Sequence, residues 1–146
     1  FNWVKLMSKF IGIDYGKKKI GLSVTDDDKV FAFPLETVKR IDFFDFITNF
    51  FKENDVEKFV VGKPTRMSGE SSEIEGEIIE FIKKLERKFP NIPIVRFDER
   101  FTSKIATKSI LSAGAKKKMR LNKEIVDKIS ATIILRDFLE YITKNS

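Results

Sequence analysis

Three acidic sites, far apart in the sequence, stand where a fold would present a side chain to a binding site. Asp14 and the pair Asp98–Glu99 each end an apolar run, and Asp127 falls on the apolar side of a late helix. A carboxylate at such a position costs free energy unless something compensates its charge. One divalent cation can compensate several carboxylates at once. The pattern therefore predicts metal-dependent chemistry, and the net charge of +6 favours a phosphodiester as the substrate.

The sequence contains no cysteine and no histidine. This composition excludes disulfides, thiolate or histidine metal sites, and the Ser-His-Asp and Cys-His mechanisms. Catalysis would have to use carboxylates, lysine, tyrosine, hydroxyls or metal-activated water. Carboxylate oxygens suit Mg²⁺ and Mn²⁺, so we expect one of these ions as the cofactor. Two ions about 4 Å apart could hold the attacking water and the leaving oxygen, and the sequence leaves the number of ions open.

The composition is that of a globular domain. Of the 146 residues, 42% are apolar and 34% are charged, which is typical of a folded, soluble chain. No apolar run approaches the roughly 20 residues of a membrane span, so no membrane partner is expected. We predict one domain over residues 7–146, with residues 1–6 as upstream sequence before a start at Met7. A monomer and a homodimer are both compatible with the sequence.

The first third of the chain predicts three antiparallel strands. A short apolar run ends at Asp14, and Ile20, Leu22 and Val24 alternate with small or polar residues. Lys17, Lys18 and Lys19 form the tip of the hairpin between these strands. A third strand is expected over 30–38, with an interruption near Pro34.

The remainder alternates between helices and strands. Asp42 is expected to cap the first helix, and a capping box from Ser72 to Glu75 to open the second, which ends at Pro90. Strands are expected over 58–62 and 92–97. Thr102 or Ser103 is placed to begin a helix that stops at Gly114, and Asn122 to cap the last helix, with Leu121 and Val126 as a hydrophobic staple.

This order, βββαβαβαα, defines the expected fold class. Strands that alternate with helices are joined by crossovers and run parallel. We therefore predict an α/β fold with a five-stranded mixed sheet, three antiparallel and then two parallel strands, and helices on both faces. This is the element order of the ribonuclease H-like fold. Sites in such sheets form beyond the carboxyl ends of the strands, where Asp14 and Asp98–Glu99 would converge.

Asp127 has two interpretations. Ala131, Ile134 and Phe138 follow it at helical spacing, so it shares a face that should meet the sheet. Alternatively it lies at the edge of that face and pairs with Lys123, Lys128 or Arg100. Together with Asp14 and Glu99 the metal interpretation is preferred, and Ser130 on the same face becomes a possible site residue.

Asp98 and Glu99 would point to opposite faces if both remain in a strand. Only one can then join Asp14, and we expect Glu99 to do so, with Asp98 as the alternative. Gly12 and Gly21 lie within predicted strands, where glycine often marks the close approach of another backbone. We interpret them as a sign of two tightly packed strands beneath the Asp14 carboxylate.

Basic and hydroxyl side chains would surround the carboxylates and contact phosphates. The basic candidates are Lys17, Lys18, Lys19, Arg66, Arg100, Lys116, Lys117, Lys118 and Arg120. Thr65 and Ser68 lie in a loop before a helix, where backbone amides can bind phosphate, and Thr102 is a further possible contact. The run 116–120 is equally compatible with a solvated loop that has no partner.

Four motifs in order resemble the YqgF family of RuvX-type proteins, which are called Holliday junction resolvases or pre-16S ribosomal RNA nucleases. The motifs are Gly12-Ile13-Asp14-Tyr15-Gly16 with Ile20-Gly21-Leu22, Val61-Gly62-x-Pro64 with Gly69, Asp98-Glu99-Arg100-x-Thr102-Ser103, and Asp127-x-x-Ser130-Ala131-x-x-Ile134-Leu135. The resemblance implies a ribonuclease H-like fold, a cytoplasmic bacterial protein and a divalent-metal nuclease. The acidic positions of the family match Asp14, Glu99 and Asp127.

The resemblance favours processing of the 5′ end of precursor 16S rRNA, and a Holliday junction resolvase acting on branched DNA is the nearest alternative. A catalytically silent nucleic-acid-binding module is a further alternative. The chain departs from the family at Lys19, Lys63 and Ser130, and in the loop that holds Thr65, Arg66 and Ser68. None of these departures removes a carboxylate, but they leave substrate preference open.

Overall fold

The computed structural model describes residues 8–64, 70–98 and 123–145, with only the backbone at 70–72 and 123–126. Its strands are β1 (Lys9–Tyr15), β2 (Lys19–Thr25), β3 (Ala32–Lys39), β4 (Val56–Lys63) and β5 (Ile94–Asp98). A 3₁₀ turn, Arg40–Asp42, leads into the first helix, and the helices are α1 (Phe43–Phe51), α2 (Glu70–Lys88) and α3 (Lys123–Lys144). The predicted upstream residues 1–6, the helix before Gly114, and the Asn122 cap with its staple lie outside the described residues.

The five strands form one mixed sheet in the order β3-β2-β1-β4-β5. The pairs β1–β2 and β2–β3 are antiparallel, and β1–β4 and β4–β5 are parallel. This confirms the predicted arrangement of three antiparallel strands followed by two parallel ones. The parallel arrangement brings the carboxyl ends of β1, β4 and β5 to one edge of the sheet.

The sheet is covered on both faces, as predicted. The larger core lies against α1 and α2 and contains Ile11, Ile13, Phe43 and Phe59, all fully buried. A second core lies against α3, and its buried members are Phe10, Val60, Phe97, Ile134, Leu135, Phe138 and Leu139. Because residues along a strand alternate between faces, Phe10, Gly12 and Asp14 face α3, whereas Ile11, Ile13 and Tyr15 face the larger core.

The start of β3 differs from the prediction. The strand covers Ala32–Lys39 rather than 30–38, because the Asp26 carboxylate accepts the backbone N–H groups of Val30 and Phe31, at 2.9 Å each, and holds both in the preceding turn. The interruption predicted near Pro34 is present as a shift of register between Leu22 and Ser23. A proline and a bulge on an edge strand discourage pairing with another chain.

Two predicted helix caps are wrong. Asp42 stands at the N-cap of α1, but its side chain makes no capping hydrogen bond. Its backbone is already helical because it ends the 3₁₀ turn, whereas a capping side chain needs an extended residue. Helix α2 begins at Glu70, which places Ser72 inside the helix, and Glu75 binds Arg96 of β5 instead.

Among the helices of the described residues, none has both the length and the apolar character that crossing a membrane would require.

Candidate active site

Asp14 and Gly21 are directly opposite each other on β1 and β2. Opposed residues of an antiparallel pair project to the same face, with Cβ atoms about 4.5–5.5 Å apart. That face is covered by α3, since a Cβ on Gly12 would lie 3.0 Å from the Ala131 carbonyl oxygen and 3.0 Å from the Leu135 Cβ. The Asp14 side chain therefore projects toward the side of the sheet that α3 covers.

Gly21 makes room for the backbone of Asp127. A Cβ on Gly21 would overlap the Asp127 carbonyl oxygen and lie 3.2 Å from the Asp127 Cβ. Asp127 thus stands over the residue that faces Asp14, and the Cβ atoms of the two aspartates lie within about 9 Å of each other. Both aspartates are half-buried. The structure brings these two of the three predicted carboxylates together.

The two strand glycines mark close approach, as predicted. A Cβ on Gly12 would first meet the Ser23 Oγ of the paired strand β2, and the backbone of α3 is also close, since the Ala131 and Asp127 carbonyl groups lie over Gly12 and Gly21. The buried Ser23 hydroxyl, also on this face, donates a hydrogen bond of 2.7 Å to the Ala131 carbonyl oxygen. Because Gly12 and Gly21 have no Cβ atoms, α3 can pack close to the sheet. The hydrogen bond from Ser23 then fixes the position of the helix along the sheet.

Asp98 lies on the other face of the sheet. Its neighbour Phe97 packs edge-to-face on Phe138 of α3, with ring centroids 5.7 Å apart. Side chains alternate along a strand, so Asp98 projects toward the α2 side, as Arg96 does. The preferred candidate Glu99 lies outside the described residues.

The donor set at this site suits a hard cation. Asp14 and Asp127 offer carboxylate oxygens, the ligands that Mg²⁺ and Mn²⁺ prefer. Across residues 8–64, 70–98 and 123–145, no three aspartate, glutamate, histidine or cysteine side chains form a group that could hold a metal ion. Among the described residues the candidate ligands are therefore Asp14 and Asp127, and a third carboxylate would have to come from outside them.

Arg40 fixes the turn that follows Asp14. Its Nε and Nη2 groups donate hydrogen bonds of 2.9 and 2.7 Å to the Gly16 carbonyl oxygen. The guanidinium lies 4.4 Å from the centre of the Tyr15 ring and bonds Glu77 of α2 at 3.1 Å. Sequence reasoning missed this residue because Arg40 follows Gly16 by 24 positions, and no local motif connects them.

Comparison with known proteins identifies the family. The RuvX family model, described as Holliday junction resolvase, matches residues 8–141. The chain belongs to the RuvX family. It is 45% identical over 134 residues to a protein of Bacteroides fragilis named "Putative pre-16S rRNA nuclease", covering 92% of this chain and 97% of that protein. A protein of Amoebophilus asiaticus with the same name is 47% identical over 133 residues, covering 91% and 94% of the two chains.

A solved structure confirms the ribonuclease H-like fold. Thermus thermophilus RuvC, determined in complex with a Holliday junction substrate, superposes with a TM-score of 0.60 over 93% of this chain and 96% of RuvC. Sequence identity is 14%, so the likeness concerns the fold.

Tyr15 of this RuvX protein is turned away from the carboxylates. It is adjacent to Asp14 but on the opposite face, with its ring centroid 4.7 Å from that of Phe81. Burial raises the pKa of the Tyr15 hydroxyl, the Arg40 guanidinium opposes this shift and the Glu77 carboxylate adds to it. The phenol is therefore neutral at physiological pH, and its place in the larger core separates it from the Asp14 carboxylate.

A groove of about 690 Å³ lies on that same opposite side, lined in part by Tyr15, Arg40, Gly76 and Glu77. It does not open over Asp14 or Asp127. The groove is thus separate from the carboxylate pair.

The first basic cluster lies next to Asp14. Lys17 and Lys18 are exposed in the β1–β2 turn, and Lys19 is the half-buried first residue of β2. The three lysines therefore stand at the same end of the sheet as Asp14. The other predicted contacts lie outside the described residues: Thr65, Arg66, Ser68, Arg100, Thr102, Lys116, Lys117, Lys118 and Arg120.

Ser130 is 2% exposed. It follows Asp127 by three positions on α3, between the helix and the sheet. Its burial favours a packing role over contact with a substrate.

Proposed function

We propose that this RuvX protein is a divalent-metal-dependent endonuclease that hydrolyses phosphodiester bonds in structured nucleic acid, and that it processes the 5′ end of precursor 16S rRNA. The observation that carries the proposal is the position of Asp127 over Gly21, opposite Asp14. It places two carboxylates from distant parts of the chain on one face. The names of the relatives support the rRNA substrate, which would place the protein in the cytoplasm.

Asp14 and Asp127 would hold Mg²⁺ or Mn²⁺, with Glu99 as a third carboxylate. Asp98 projects to the α2 side, away from the face that carries Asp14, and this favours Glu99, the candidate preferred from the sequence, over Asp98. The bound cation supplies charge stabilisation at the phosphate and a lower pKa for the attacking water.

The chain itself binds and orients the nucleic acid. The ammonium groups of Lys17, Lys18 and Lys19 offset the negative charge of phosphates that approach the carboxylates. Arg40 holds the Gly16 carbonyl, which restrains both the end of β1 and the lysine-bearing turn. This restraint keeps Asp14 oriented relative to α3, and orientation of reacting groups contributes directly to rate.

Cleavage assays test the proposal. A labelled precursor 16S rRNA leader is incubated with wild-type protein in Mg²⁺, in Mn²⁺ and in EDTA, and Asp14→Asn and Asp127→Asn are compared with it. Cleavage that needs the ion and falls at least about a hundred-fold in both variants supports the proposal. Asp28→Asn, at the exposed β2–β3 turn, is the matched control and should cleave as the wild type does.

A Holliday junction resolvase is the second candidate, favoured by the description of the matching family model. Paired cuts in a four-way DNA junction require two sites, as in a symmetric dimer. A monomer in solution that cuts the rRNA leader and leaves the junction intact excludes this candidate. Binding of either substrate without cleavage under any metal condition would instead identify a silent binding module and contradict the nuclease proposal.

A further inference from the structure

Lys19 and Lys39 stand directly opposite each other on β2 and β3. Side chains of opposed residues share a face and start close together. Both long side chains can therefore reach one anion, and each ammonium group would add a charge-assisted contact to it.

The lysine pair lies on the face that carries the two aspartates. Lys19 precedes Gly21 by two positions on β2, so both residues project to the side that α3 covers. Gly21 is opposite both Asp14 and Thr37, and Lys39 follows Thr37 by two positions. Asp14, Gly21 and Thr37 form one row across the sheet, and the two lysines form the next row outward, about 7 Å along the strands.

Among the described residues, the surroundings of the pair contain both signs of charge. A depression of about 350 Å³ is lined by both lysines, Thr37, Val38, Phe46 and the carboxylates Glu36 and Asp42. The Glu36 carboxylate lies 3.8 Å from the Lys128 ammonium, which offsets its charge. The lysine turn before β2 adjoins the end of β3, because the Arg40 backbone N–H donates to the Lys18 carbonyl oxygen at 3.3 Å.

We propose that Lys19 and Lys39 together bind one backbone phosphate of the nucleic acid, next to the phosphate held at Asp14 and Asp127. Strand spacing puts the Cα atoms of Lys19 and Lys39 about 8 and 12 Å from that of Asp14, within reach of a neighbouring phosphate for long side chains. The nucleic acid therefore crosses the β2–β3 side of the sheet. Lys39 is the new residue, and the proposal rests on the proposed nuclease function.

The test measures binding as a function of salt. A fluorescent RNA duplex and a labelled four-way DNA junction are titrated with Asp14→Asn protein that carries Lys39→Ala, Lys19→Ala or both. Loss of one phosphate contact lowers the slope of log K against log salt by about 0.7–0.9. Because the two lysines share a phosphate, the double variant should lose about one such unit rather than two. Lys52→Ala removes the same charge at an exposed residue after α1, at the other end of the sheet, and should leave the slope unchanged.

Two further measurements distinguish a loss of phosphate binding from a loss of stability and from a loss of catalysis. Lys39→Ala in the otherwise wild-type protein should raise KM several-fold and leave kcat unchanged, since a remote phosphate is bound equally in the ground state and the transition state. Its melting temperature should stay close to that of the wild type, because Lys39 is exposed and its side chain is not part of the core.

A salt slope for Lys39→Ala equal to that of Lys52→Ala overturns the inference, as does a two-unit loss in the double variant. A lower melting temperature for Lys39→Ala does so too, because it would indicate a structural role. By contrast, wild-type protein that cuts neither substrate contradicts the proposed function alone, because the salt slopes report binding without cleavage.

Discussion

The carbonyl oxygen of Asp127 occupies the space that a side chain on Gly21 would fill. This contact connects the last helix to the strand pair that opens the fold. Since Gly21 is opposite Asp14, the same contact determines how closely the two carboxylates approach. The lack of a side chain at Gly21 therefore controls the distance between Asp14 and Asp127.

Gly21→Ala should lower both stability and nuclease activity. The added methyl would overlap the Asp127 backbone and push α3 outward, at a cost of about 1–3 kcal/mol in the free energy of unfolding. Denaturant unfolding and the cleavage rate measure the two effects. Gly76→Ala is the matched control: it is exposed in α2 with no atom within 4 Å of the new Cβ, and alanine should stabilise the helix by about 0.5–1 kcal/mol. Equal behaviour of the two variants would contradict the account.

Ser23→Ala should destabilise the protein by about 1 kcal/mol. The substitution removes the buried hydrogen bond from the Ser23 hydroxyl to the Ala131 carbonyl, which joins β2 to α3. Thr132→Ala is the comparison, because the Thr132 hydroxyl only bonds the Lys128 carbonyl within the same helix, and its loss should be close to neutral. Urea unfolding of both variants tests the difference, and a Thr132 effect as large as that of Ser23 would refute it.

Arg40→Lys should reduce activity although charge is retained. Lysine cannot donate two hydrogen bonds from a planar group to the Gly16 carbonyl, so the turn after Asp14 loses its restraint, at a cost of about 1–2 kcal/mol. The measurements are the cleavage rate and the free energy of unfolding. Glu77→Gln removes the ion pair but leaves the Gly16 contact intact. Because the Glu77 side chain is 52% exposed, it should change stability by less than about 1 kcal/mol.

Metal binding should be visible as thermal stabilisation. Saturation with Mn²⁺ to about a hundred times its dissociation constant stabilises a folded protein by about 2.7 kcal/mol. We expect the melting temperature of the wild type and of Asp28→Asn to rise with Mn²⁺, and that of Asp14→Asn and Asp127→Asn to rise much less. An equal rise in all four proteins would place the ion elsewhere.

The Asp26 carboxyl should contribute to stability only above acidic pH. Desolvation acts to raise its pKa, but the N–H groups of Phe31 and Val30 outweigh this, and the pKa lies below the ordinary value of 3.8. A lowered pKa in the folded state stabilises the protein above the unfolded pKa, and this stabilisation disappears as the pH falls through the folded value. Asp26→Asn should therefore lose less stability than the wild type below pH 3.8. Parallel acid-unfolding curves would contradict this.

Periodicity predicted most of the fold. Alternation in β2 and the apolar runs of β1, β4 and β5 identified the strands, and their order with the helices identified the mixed sheet. These signals are local, since one buried face imposes a period of two on a strand and 3.6 on a helix. The ends of strands and helices were predicted less well, because they depend on contacts with other side chains. The Asp26 carboxylate holds Val30 in a turn, so that β3 begins later than predicted. Glu75 forms an ion pair with Arg96 and does not cap α2.

The sequence by itself determined the available chemistry: carboxylates without histidine or cysteine, an excess of positive charge, and the faces on which Asp14 and Asp127 lie. Only the tertiary structure decided that these two aspartates lie near each other on one face, that Arg40 restrains the turn after Asp14, and that Lys39 stands opposite Lys19. The physical reason is that side-chain types and periods are encoded along the chain. Contacts between distant residues follow from strand register and from how closely a helix can pack on glycine, which no local pattern contains.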